Sequence, residues 1–115
     1  MQIPKPSPED MDRFRSIVPA ATNVVVKPMF GNLGAFVNGN MFMGLFGADI
    51  GLKLAADDAR ELQAMEGAGP FGPAERPMGG YVTMPRAIIG TADGERWVAR
   101  ALEYVGELPP KAQKK

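Results

Sequence analysis

Asn38-Gly39 lies between two apolar runs, Leu33 to Val37 and Asn40 to Phe46. A two-residue type I′ turn needs φ > 0 at both central positions, which Asn and Gly tolerate and most residues do not. The dipeptide therefore predicts an antiparallel hairpin. A further turn at Gly47-Ala48-Asp49 leads into Ile50-Gly51-Leu52-Lys53-Leu54, where apolar side chains alternate with small or charged ones. Upstream, the β-branched run from Val24 continues to Phe30 and is interrupted by Pro28, which places it at a sheet edge or a bulge. These pieces predict a four-stranded antiparallel meander. Tyr81 to Met84, stopped by Pro85, adds a fifth strand.

Helical signals flank the meander. Ser7-Pro8-Glu9-Asp10 combines an N-cap hydroxyl, a proline at the first helical position and acids in the first turn. Pro19 ends that helix near residue 17. Good helix formers follow from Ala56 to Glu66, ended by Gly67, and Trp97, Val98, Ala101, Leu102 and Val105 form an apolar face on a helix over about 93–107. Between them, 67–79 is rich in Gly and Pro and reads as a long loop pinned to the body by Phe71 and Met78. With 115 residues, 45% of them hydrophobic, the chain is expected to bury about two thirds of its surface around one core. One α+β domain is expected over 1–110: two layers, with a mainly antiparallel five-stranded sheet and flanking helices. The basic tail, 111–115, is expected to be disordered.

Strict alternation along 40–46 would send Met41, Met43 and Leu45 to one side of the sheet and Phe42 and Phe46 to the other. Phe36 and Val37 divide in the same way, so both faces are apolar. Helices cover one of them. The other is expected to meet a second copy, with Phe36, Phe42, Met43 and Phe46 as the candidate interface of a homodimer. The alternative is that the long loop and the last helix wrap that face within one chain.

The chain has no His and no Cys, which excludes disulfides, thiol nucleophiles, imidazole or thiolate metal sites and the Ser-His-Asp triad. No converging pair of carboxylates replaces them, so neither catalytic residues nor a metal or cofactor are expected. Gly67-Ala68-Gly69-Pro70-Phe71-Gly72 matches a dinucleotide fingerprint in letters, but it follows a helix and runs into Pro73. Outside the tail, 10 basic residues face 13 acidic ones, a poor match to a phosphate backbone, so no direct nucleic-acid contact is expected. Lys27, Lys53, Arg76 and Arg86 are the cations that could build an anion- or ligand-binding surface; the simpler reading is solvated side chains guarding sheet edges. No apolar run follows Lys5 and none approaches ~20 residues, so neither a secretory signal nor a membrane span is expected, and the location is expected to be cytoplasmic.

The ordered set Met29-Phe30-Gly31, Gly34 and Phe36, Asn38-Gly39-Asn40-Met41-Phe42, Leu52-Lys53-Leu54, Gly69-Pro70-Phe71, Pro77-Met78 with Gly80-Tyr81, Pro85 and the Trp97 helix resembles the TfoX/Sxy N-terminal domain family over about residues 9–110. The resemblance implies a two-layer α/β domain similar to secretion-chaperone-like folds, here expected to stand alone. Full-length members regulate natural competence together with the cyclic-AMP receptor protein and carry a second domain. It also implies action through a regulatory protein partner, and it brings no catalytic residues with it.

Overall fold

The computed structural model describes residues 4–73 and 75–110; the tail expected to be disordered lies outside the described residues. Helix α1 (Pro8–Ile17) is followed by strands β1 (Val24–Met29), β2 (Asn32–Val37), β3 (Asn40–Phe46) and β4 (Asp49–Lys53). Helix α2 (Ala56–Gln63), strands β5 (Gly69–Pro70) and β6 (Tyr81–Thr83), a 3₁₀ turn (Arg86–Ile88) and helix α3 (Ala92–Gly106) complete the chain. The sheet is antiparallel throughout, in the order β1-β2-β3-β4-β6-β5. It has six strands rather than five. The extra one is Gly69–Pro70, a dipeptide poor in strand propensity and confined to the edge, where Pro is tolerated.

Each helix forms for local reasons and docks through its apolar stripe. At α1 a capping box closes reciprocally: Asp10 N–H donates to Ser7 Oγ at 3.0 Å and Ser7 N–H donates to Asp10 Oδ2 at 2.9 Å. Hydrogen bonding with Ser7, its backbone N–H first, holds the Asp10 carboxyl below its ordinary range. Thr91 Oγ1 caps α3 by accepting from Gly94 N–H. Helix α3 lies across β3 and β4, and α2 packs beside β6. Phe14, Leu62, Trp97, Val98, Ala101 and Val105 meet Ala35, Val37, Leu45, Ile50, Leu52 and Val82 in one core on this face. Arg100 stacks on Trp97 at 4.7 Å and reaches Asp58 and Glu61, tying α3 to α2.

A bulge changes the expected faces of β3. Ala35 pairs with Met43 and Phe36 with Met41, which leaves Phe42 as the extra residue. Phe42 and Met43 consequently both enter the helix-side core, each at 0% exposure. Met41 joins Phe36 and Phe46 on the outer face. Two of the four residues expected at an interface, Phe42 and Met43, are thus enclosed by the chain itself, because strict alternation fails at the bulge.

Candidate docking surface

The outer face is organised by a row of glycines. Gly34, Gly44 and Gly51 stand directly opposite one another on β2, β3 and β4, which cuts a trough across the sheet. Met41 lies over Gly34 and Gly44, and the Phe71 ring lies over Gly51. A Cβ on Gly51 would come within 2.3 Å of that ring. Phe71, only 2% exposed, is held edge-on by Phe46 and faces Tyr81, both at 6.1 Å between ring centroids. The loop carrying it is closed by Met78 N–H donating to Phe71 O at 2.8 Å. The β3-β4-β6 half of the outer face is therefore covered within the chain, by the long loop; the last helix, which the alternative reading also placed there, lies on the opposite face. The β1-β2 half is left open.

At the boundary between the halves is a cavity of about 260 Å³, lined chiefly by Met29, Phe30, Met41, Phe46, Phe71 and Met78. Its one polar side chain is Asn32, and both ends of the Asn32 amide are engaged. Its Nδ2 donates to Pro4 O at 3.1 Å and its Oδ1 accepts from Gly47 N–H at 2.8 Å. The cavity thus offers hydrocarbon, aromatic faces and thioether sulfur, and no free hydrogen-bonding side chain.

Phe30 stands at its edge. The β1-β2 hairpin turns on Phe30 and Gly31, with φ of 53° and 79°, the same type of turn as Asn38 and Gly39 at 53° and 81°. Phe30 belongs to the turn rather than to β1, where the sequence suggested it. A bulky residue in this region is a backbone outlier, worth about 1–3 kcal/mol of strain. The side chain gains little burial in return, since it is 76% exposed. Beside it on β1, Val25 is 49% exposed.

The four cations singled out by sequence separate into two groups. Arg86 is paired with Asp49 at 3.0 Å and is neutralised. Lys27 lies over the Phe36 ring at 5.1 Å and Lys53 over the Tyr81 ring at 5.7 Å, both on the outer face. Arg76 sits in the turn closed by its N–H to Pro73 O, in the loop whose Pro73 and Met78 line the cavity. Among the described residues Lys27, Lys53 and Arg76 are in no ion pair. Of the thirteen acidic residues, all but Asp49 and Glu75 lie on the three α-helices or within three residues of their ends. The helical layer is acidic, whereas Lys27 and Lys53 stand unpaired on the outer face and Arg76 unpaired in its loop. Sequence counting missed this because the net charge is zero.

Burial pushes the Tyr81 hydroxyl up to about 12, and it is committed to Met41 O at 2.8 Å. Among the described residues no cluster of acids could hold a metal ion, and no helix is long and apolar enough to cross a membrane. The Gly67 to Gly72 segment leads into an edge strand rather than a helix, so it cannot present amides to a pyrophosphate.

The structure is a two-layer α+β domain with a concave apolar feature on the sheet's outer face. The family model described as TfoX N-terminal domain matches residues 16–105, and the chain belongs to that family. It is not a known enzyme family. No curated protein and no solved structure matches the chain significantly.

Proposed function

We propose that the chain is a cytoplasmic, non-enzymatic domain that works by protein association, of the kind used by TfoX-type regulators, and that it associates through the open half of its outer face. The observation that carries this reading is Phe30: strained, three-quarters exposed and set beside an apolar cavity. A large aromatic in that state is unfavourable for the isolated fold and favourable once a partner covers it. The surrounding pattern supports the same use, since methionine-rich hollows adapt to different side chains and an aromatic anchor amid polar rims is where binding energy concentrates.

Photo-crosslinking in cells tests it. A benzophenone amino acid replacing Phe30 should give discrete protein adducts, whereas the same group replacing Glu103 on the acidic layer should give none. Absence of adducts at residue 30, or equal labelling at both positions, would remove the reading. An adduct of twice the chain mass would identify the partner as a second copy, the homodimer expected from the sequence.

A further inference from the structure

Resting on that reading, we infer the partner's chemistry: the outer face takes a short acidic segment of another protein that inserts one large apolar side chain into the cavity between Phe30 and Phe71. Charge complementarity is the first argument. Lys27 and Lys53 share the outer face with the apolar hollow, Arg76 belongs to the loop whose Pro73 and Met78 line it, and none of the three has an ion-pair partner among the described residues. An apolar anchor flanked by carboxylates satisfies both features together. An apolar segment alone leaves the cations unused, and a basic one meets like charge.

The size of the hollow sets the occupant's length. About 260 Å³ exceeds the ~150 Å³ that accepts a benzene ring, so one phenylalanine or leucine side chain fits and an amphipathic helix does not. The cavity's only polar side chain is already satisfied twice, so nothing inside favours a polar group. The occupant's polar atoms must stay outside it, on the face and loop that carry the cations.

Area and charge together argue against a second copy on this face. Phe30 and Val25 offer together ~200 Å² of apolar side chain per chain. Two copies meeting on them bury a few hundred Å², against about 1,200–2,000 Å² in a stable pair. A two-fold pairing of this face would also gather both copies of Lys27 and Lys53 at one contact. Strand addition at β1 is blunted as well. In a two-residue hairpin the residues that point away from β2 are Val24, Val26 and Pro28. Pro28 has no N–H and the Val24 N–H is taken by Ala21 O, which leaves Val26 alone as a donor.

The test is amide NMR on the full chain with three hexapeptides: a central Phe-Leu pair flanked by aspartates, the same pair flanked by lysines, and a central Ala-Ala pair flanked by aspartates. The first should shift resonances of Phe30, Met41, Phe71 and Met78 and weaken several-fold between 0.05 and 0.5 M salt, since exposed charges are screened over that range. The other two should bind at least about tenfold more weakly. Phe30→Gly relieves the backbone strain, so it folds, and it should bind about tenfold more weakly; Lys27→Ala and Arg76→Ala should each cost about two- to fivefold. Equal binding of the lysine-flanked peptide, shifts confined to the helical layer, or stronger binding of octanoate than of the acidic peptide would overturn the proposal. So would shifts that depend on protein concentration alone, which would assign the face to a second copy. Specific crosslinking at residue 30 to a protein that contacts through a basic segment would sink this chemistry and leave the association reading standing; loss of crosslinking sinks both.

Discussion

Phe30 and Asn38 hold the same backbone conformation in successive turns, and only one of them is suited to it. Asparagine tolerates φ > 0 because its short polar side chain bonds locally; phenylalanine has no such compensation. Phe30→Gly should therefore raise stability by about 0.5–1 kcal/mol in urea unfolding, the strain relief being partly offset by the freer unfolded chain. Gly51 makes the opposite case. With the Phe71 ring 2.3 Å from where a Cβ would sit, Gly51→Ala must expel the ring, and a loss of about 1–3 kcal/mol is expected, with faster proteolysis in 71–80. Tyr81 links the scales of residue and sheet through its bond to Met41 O. Its raised folded value means that the stability it contributes is complete below about pH 10 and declines as the pH climbs through about 12. Tyr81→Phe should remove that alkaline dependence and cost about 1 kcal/mol at neutral pH by leaving the carbonyl unpaired; pH-dependent urea midpoints check both.

Among the elements, those with a chemical punctuation mark were legible and those without one were not. The Ser7-Pro8-Glu9-Asp10 start and Pro19 stop place α1 at Pro8–Ile17, which is where it lies, and Asn38-Gly39 fixes the central turn. The bulge at Phe42 carries no mark. Every residue from Met41 to Met43 is apolar, so periodicity cannot tell which two share a face, and the face of each residue back to the turn is misread. Pairing Gly34 with Gly44 requires that extra residue, so the glycine row that shapes the cavity is invisible until the register is known. The capping box at α1 gives a test at this scale. Because hydrogen bonding with Ser7, its backbone N–H first, lowers the Asp10 carboxyl, the contribution of the box is present above about pH 4 and is lost as the pH falls through the lower folded value. Ser7→Ala should cost about 1 kcal/mol at pH 7, and the difference between variant and parent unfolding midpoints should shrink on acidification.

Across the whole molecule, the sheet has two apolar sides and the chain solves them differently: three helices bury one, and a single loop residue, Phe71, closes half of the other. That division explains why the apolar character of both faces was readable and the exposure of each residue was not. Phe36 and Phe46 do reach the outer face, but Phe46 is spent holding Phe71, and the exposed aromatic is Phe30. If Phe71 is what separates a sheathed half-face from an open one, its removal should change the molecule's solution behaviour as well as its stability. Phe71→Ala is expected to cost about 3–5 kcal/mol from lost burial and the void over Gly51. The glycine trough would then lie bare beside Met41 and Tyr81, extending the apolar surface across the sheet. Dye binding to exposed apolar surface should rise and the light-scattering mass should grow with concentration, while the parent chain keeps a constant mass. A variant as destabilised as this with no gain in dye binding or mass would mean that other segments close over the trough, and that the loop secures the fold without deciding how much of the sheet is offered to partners.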